Sequence, residues 1–234
     1  MEQKIAPEEL TGVPLFSDLR PEDLVILTRQ ARLEGCPPRK RLFREGEKPE
    51  ALYVLLSGSV QLSATTTGDS REAIIEIVGA PDTFVLAAAL TDSPYLMSAT
   101  VLEPARLLLL PAAVLRQDIA DRPELAMTLL ASLAAQSRRM VRQLKNLKLR
   151  STVQRLGWFL LNLAEPAAND TAVVTLPYDK QLIASQLGMT RESLSRALAS
   201  LRAYGVETQG NRVLLKDPTA LAAYCNASKS MGGA

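Results

Sequence analysis

The sequence predicts an α+β chain in three parts: an N-terminal β-barrel of the jelly-roll type, a long helix, and a C-terminal winged helix-turn-helix. Three observations predict it. From about Leu33 to Pro111, short apolar β runs are broken by turn residues at roughly ten-residue spacing, the rhythm of a small antiparallel barrel. Residues 122–150 carry apolar side chains in alternating steps of three and four. Residues 182–201 read as two short helices joined at Gly188, and two β runs around a Gly210-Asn211 turn follow them. The parts fall at residues 1–121, 122–150 and 151–234.

Residues 14–30 read as a short helical lead-in, with Pro21 at a helix start and acids in the first turn. In the β region, ALYVLLSGSVQLSA is read with Gly58 as its turn, EAIIEIVG ends at Gly79, and ARLLLLP ends at Pro111. TTTGDS (65–70) is read as a polar hairpin tip. The long helix opens with Pro123, and Leu130, Leu133, Ser137, Met140, Leu144 and Leu147 form a heptad seam with one polar interruption. Such a seam on a helix otherwise rich in Arg and Lys predicts a homodimer; packing on its own barrel is the competing reading. A helix over 152–165, the loop PAANDT and the strand TAVVTLP precede the helix pair, and 226–234 reads as a loose tail.

Composition bounds the function. A chain of 234 residues, 47% hydrophobic and 22% charged, is long enough for two domains with separate cores. No run is long enough to span a bilayer, and the N-terminus lacks a secretion-signal core, so a cytoplasmic protein with no membrane partner is expected. Cys36 and Cys225 lie far apart without metal-type spacing and are expected to be reduced and unpaired. The sequence has no histidine, which removes the commonest general base, metal ligand and haem ligand together. With no nucleophile elbow, phosphate-binding loop or zinc-ligand cluster, neither an enzyme nor a metal site is expected. The net charge of +2 divides unevenly: −6 over residues 1–121, +6 over 122–150 and +2 over 151–234. Basic charge thus collects toward the C-terminal side, where a phosphate backbone would be met.

In LIASQLGMTRESLSRALASL (182–201), Ile183, Leu187, Leu194, Leu198 and Leu201 recur at helical spacing as a buried stripe. Thr190, Arg191, Glu192, Ser195 and Arg196 are left facing outward. Arg pairs bidentately with guanine and Glu accepts from the cytosine amino group, so this set suits base edges in a major groove. A solvated amphipathic face is the blander reading. A DNA-acting enzyme would need clustered carboxylates, whereas Glu192 stands alone there.

Barrel, long helix and winged helix-turn-helix, in that order, resemble the CRP/FNR superfamily of bacterial transcription regulators over about residues 14–217. The likeness rests on LFREGEKPEALYVLLSGSVQL (42–62), similar to a cyclic-nucleotide-binding-type barrel, and on LIASQLGMTRESLSRALASLRAYGV (182–206). It implies a homodimer on inverted half-sites of double-stranded DNA, and RNA polymerase as a further partner. Glu192, Ser195 and Arg196 fill the Glu-x-x-Ser-Arg pattern that reads TTGAT-like half-sites in the FNR branch. Arg191 stands where the catabolite-activator branch has a basic residue.

The same resemblance argues against two effectors. Cyclic-AMP-binding members hold the nucleotide with a Gly-Glu pair and an Arg-Ser pair; here Val85-Leu86 and Tyr95-Leu96 stand in those places, and a buried phosphate would lack compensating charge. Iron–sulfur members need an N-terminal cysteine cluster, and the first thirty residues have no cysteine. The replaced region is apolar: Phe84, Val85, Leu86, Leu90, Tyr95, Leu96 and Met97, expected to face Ser137, Met140 and Val141. It is either a filled core, as in an effector-independent regulator, or a cavity for a small hydrophobic or aromatic effector oriented by Tyr95, Ser98 and Ser137. A further likeness to Dnr-type nitric-oxide-responsive regulators leaves haem open, with Met97, Met140, Tyr95 or Cys36 as the candidate ligands. A protein-interaction module built on the same barrel is the alternative of a different class.

Overall fold

The computed structural model describes residues 7–10, 12–17, 19–65, 72–167 and 170–226. The chain divides into two compact units, Met1–Arg138 and Arg139–Ala234, and the border falls inside one long helix.

In the first unit, helix α1 (Pro21–Thr28) precedes strands β1 (Arg32–Cys36), β2 (Arg41–Phe43), β3 (Ala51–Thr65), β4 (Glu72–Gly79) and β5 (Asp82–Phe84). Helix α2 (Leu86–Thr91), strand β6 (Ser98–Pro111) and helix α3 (Ala112–Asp121) follow, and then α4 (Pro123–Leu149) begins. All six strands pair antiparallel around the long β3 and β6, in the order β1-β6-β3-β4 with β2 on β6 and β5 on β3. The sheet is jelly-roll-like; among the described residues its ladder does not close into a barrel.

The continuous apolar runs of β3 and β6 follow from burial on both faces, since successive strand side chains point opposite ways. Leu52 and Val54 of β3, with Leu108 and Leu110 of β6, join a core shared with Phe16, Leu24, Leu86, Leu115, Leu125 and Leu129 from the helical elements. Tyr53 and Leu55, with Leu107 and Leu109, face the other core, where Phe43, Tyr53, Phe84 and Tyr95 stack. Phe43 and Tyr95 lie 3.8 Å apart between ring centroids, and Tyr53 and Phe84 5.2 Å. The start of α4 is tied to α1 by buried Asp23, whose carboxylate meets Arg20 at 2.8 Å and Arg122 at 3.4 Å.

Gly58 is not a turn. β3 runs straight through it, and its register against β6 shifts on both sides, as a bulge requires. With φ +85°, Gly58 occupies a conformation that side-chain-bearing residues rarely adopt, and a Cβ there would sit 2.9 Å from Ala105 Cα and overlap the Pro104 carbonyl. Gly58→Ala is therefore expected to destabilise the first unit by about 2–4 kcal/mol, from the dihedral and the clash together. The urea midpoint of unfolding measures it.

The second unit holds the end of α4, then α5 (Thr152–Asn162), β7 (Glu165–Pro166), β8 (Ala172–Thr175), α6 (Lys180–Gln186) and α7 (Arg191–Leu201). Strands β9 (Val206–Gln209) and β10 (Arg212–Leu215) and helix α8 (Pro218–Asn226) complete it. The wing is a sheet ordered β7-β8-β10-β9, with β9 and β10 turning at Gly210-Asn211. Ser151 and Gln154 close a reciprocal capping box that starts α5 (3.0 and 3.2 Å). Leu156, Leu160, Ile183, Leu194, Leu201, Val213 and Leu221 form its core.

The structure departs from the sequence expectations at several points. The lead-in over 14–30 is a 3₁₀ turn (Pro14–Phe16) and a separate helix, α1. The run to Pro111 is the end of the fourteen-residue β6, and the helix over 152–165 stops at Asn162. Helices α2, α3 and α8 were not anticipated. The hairpin tip beyond Thr65, the middle of PAANDT (168–169) and the tail 227–234 lie outside the described residues.

Candidate DNA-recognition surface

Helix α7 is set by its buried underside. Leu194, Ala197 and Leu201 are buried against α5 and α6, and Leu198 is half-buried. Across α6, Ile183 is buried and Leu187 half-buried, so the whole predicted apolar stripe points inward. Asp179 caps α6 by accepting from the Leu182 N–H at 2.8 Å. Thr190 caps α7 by accepting from the Ser193 N–H at 3.2 Å.

Between the helices, Gly188 (φ +61°) makes the turn, and a Cβ there would lie 3.2 Å from a Leu147 methyl at the end of α4. Arg155 fastens the same corner. Its guanidinium donates to the Leu147 carbonyl at 3.3 Å and to the Gly188 carbonyl at 3.4 Å. Nearby, Arg150 lies 4.3 Å over the Trp158 ring, a cation–π contact. The sequence reading named neither arginine.

With the underside fixed, Thr190, Arg191, Glu192, Ser195 and Arg196 are all exposed, within two turns of one helix end. They are not equally free. Thr190 is committed to the cap and also donates to Ser193 Oγ at 3.2 Å, while Ser195 donates to the Arg191 carbonyl at 3.1 Å. Arg196 donates to Ser193 Oγ at 3.1 Å. Ser193, not singled out from sequence, thus orients the Arg196 guanidinium; its position three residues before Arg196 was the available signal. Glu192 sits in the first turn, where its own backbone N–H, then the Thr190 hydroxyl, then Arg196 and Arg191 hold its carboxyl below the usual range. The surface therefore offers a charged acceptor and two guanidiniums side by side.

The expected effector residues do not gather in one place. Phe84 and Tyr95 are buried in the stacked-aromatic core with Val85 and Met97 against it, whereas Leu86 and Leu90 belong to the core on the opposite face of the sheet. Leu96 is 82% exposed, and Ser98 is buried, accepting from the Glu45 N–H at 3.0 Å. Ser137, Met140 and Val141 are exposed on α4. Phe43, Tyr53 and Tyr95 floor a cavity of about 370 Å³ whose other lining includes Glu47, Lys48 and Glu50. Of the seam, Leu130, Met140, Leu144 and Leu147 are between 45% and 56% exposed, while Leu133 packs partly on the first unit's core.

A jelly-roll-like unit followed by a long helix and a winged helix-turn-helix, its second helix edged with arginines, defines a class: the two-unit DNA-binding regulators. Comparison with known proteins agrees. The model of the cyclic nucleotide-binding domain matches residues 34–122, and that of the Crp-like helix-turn-helix domain matches residues 154–224. A CRP-like cAMP-activated global transcriptional regulator of Mycobacterium tuberculosis is 30% identical over 219 residues, 92% of this chain and 97% of its own. The structure of FixK2 from Bradyrhizobium japonicum has the same fold (TM-score 0.71, 21% identity, 85% of this chain and 98% of that one). DNR from Pseudomonas aeruginosa is similar at 27% identity and TM-score 0.52, over 95% of this chain and 98% of that one. The chain belongs to the CRP/FNR superfamily and is a DNA-binding transcription regulator of that type. Among the described residues, no helix is long and apolar enough to cross a membrane.

Proposed function

We propose that the protein is a homodimer that reads TTGAT-like inverted half-sites with one α7 from each protomer, recruits or contacts RNA polymerase, and is controlled by a small apolar or aromatic effector. The observation that carries the DNA reading is the exposed row Arg191, Glu192, Ser195 and Arg196 above a buried apolar underside. Arg196 and Glu192 read bases, Arg191 reads a base or anchors a phosphate, and Thr190 and Ser195 assist through the backbone they hold. The dimer reading rests on the exposed leucines and methionine of α4, a stripe too apolar to be left in water. Two-fold symmetry then makes the half-sites inverted repeats about one helical turn apart.

Activation by cAMP belongs to the mycobacterial relative and is not carried over. Among the described residues of the first unit, the fully buried polar side chains are Asp23, Ser59, Ser63, Thr83, Ser98 and Asp118, none of them cationic, so a cyclic phosphate buried in its core would lack a buried counter-charge. Two of the four candidate haem ligands are poorly placed. Tyr95 is locked in the aromatic stack and the Cys36 thiol is pushed up by burial, away from the thiolate a metal needs.

The test is binding to a duplex carrying two inverted TTGAT half-sites, against a scrambled duplex, across a range of salt. A steep salt slope with tighter binding to the half-sites is expected, because each neutralised phosphate releases counterions. Equal binding to both duplexes sinks the half-site reading; no salt-dependent binding at all favours a protein-interaction module. A pH series follows from Glu192. Because its carboxyl is held below the ordinary range, near 4.3 for a free side chain, discrimination at its base pair should stay flat from about pH 8 to about pH 5 and fall only in stronger acid. Glu192→Gln should lower that discrimination between about pH 5 and about pH 8, and the two proteins should converge in stronger acid, where the wild-type carboxyl is itself neutral.

A further inference from the structure

In the first unit, α2, α3 and the opening turns of α4 enclose a groove of about 390 Å³ lined by Leu90, Ile119, Ala126, Leu129, Leu130 and Arg116. Among the described residues of that lining, Arg116 is the one charged group. One end of its guanidinium donates to the Ala89 carbonyl in α2 at 2.7 Å, and the other lies 3.2 Å from an Asp92 carboxylate that is 53% exposed. A guanidinium has five N–H groups in a planar fork, so this one retains donors after both contacts. An apolar trough ending in a fork that already holds a carboxylate matches one kind of ligand: an alkyl or aryl chain bearing a single carboxylate.

We propose that this groove binds an amphipathic monocarboxylate, its carboxylate on Arg116 in competition with Asp92 and its chain over Leu90, Ile119, Leu129 and Leu130. The inference rests on the reading that the protein is effector-controlled, and it supplies the site and chemical class. Helix α2 is a natural responder. It is bounded by Val85 (φ +58°) and Asp92 (φ +54°), both in the left-handed region, and Arg116 holds its last turn to α3. A ligand that draws Asp92 off Arg116 alters the joint at which α2 ends.

The experiment uses the full chain with ¹³C-labelled leucine and isoleucine methyls, octanoate as probe and octan-1-ol as its uncharged counterpart. Octanoate should shift the Leu90, Ile119, Leu129 and Leu130 methyls saturably, and octan-1-ol should bind about tenfold more weakly. Arg116→Gln should bring octanoate down to the alcohol's affinity, and Ala120→Trp, at the exposed lip of the groove, should abolish both. Equal binding of acid and alcohol, undiminished shifts in Ala120→Trp, or no saturable shift overturns the proposal. So does binding seen only in a monomeric variant such as Leu144→Glu, since a second copy then covers the groove. If the methyls respond as expected but octanoate leaves DNA affinity unchanged, the site stands and effector control falls.

Discussion

Leu144→Glu is expected to turn the protein into a monomer and to weaken binding to a two-half-site duplex by roughly 10²–10⁴-fold, the avidity lost when linked sites become independent. Leu144 is 52% exposed within one chain, so the substitution removes little intramolecular packing. In the proposed seam, however, it places two carboxylates face to face at a position both helices need apolar. Uncompensated charge in such a position costs far more than a surface change. Sedimentation should give the monomer mass with the fold retained, and the melting temperature should fall and lose the concentration dependence that association gives the parent. Leu144→Ile, which keeps the apolar surface, should remain dimeric. A dimer persisting in Leu144→Glu would refute the seam and leave the exposed stripe of α4 without its proposed partner.

The α7 surface was legible in the sequence because a 3.6-residue period separates inside from outside without tertiary information. Ile183, Leu187, Leu194, Leu198 and Leu201 all point inward as expected, which forces Arg191, Glu192, Ser195 and Arg196 outward. The β3 and β6 runs announced a sheet buried on both faces, but not where it bends. Gly58 looks like a turn in one dimension and becomes a bulge only once Pro104 lies across from it. Helix α2 was not legible: it has six residues, a left-handed residue at each end and no side-chain cap. Helix α8 was missed despite a readable signal, since Asp217 before Pro218 caps it by accepting from the Ala220 N–H at 2.8 Å. The residues expected to line one effector cavity part for a physical reason. Leu86 and Leu90 share a sequence segment with Phe84, but a strand-to-helix turn at Val85 sends them to the opposite core.

Arg196→Ala is expected to cost about 1–3 kcal/mol per half-site and to relax base preference at the pair it reads. The side chain is exposed and, among the described residues, donates to one side chain, Ser193 Oγ at 3.1 Å, so folding should be unaffected. What is lost is a two-pronged donor aimed by that hydroxyl. Base reading and phosphate anchoring separate cleanly by experiment. Loss of a phosphate contact weakens binding to every sequence alike and reduces the salt slope by about one for each cation removed. Loss of a base contact weakens the half-site duplex and leaves the scrambled duplex nearly unchanged. Arg196→Lys sharpens the distinction, because lysine keeps the charge but not the fork. It should restore the salt slope and non-specific affinity while recovering little of the specificity. If Arg196→Lys instead recovers both, Arg196 is a phosphate anchor, and base reading falls to Arg191 and Glu192.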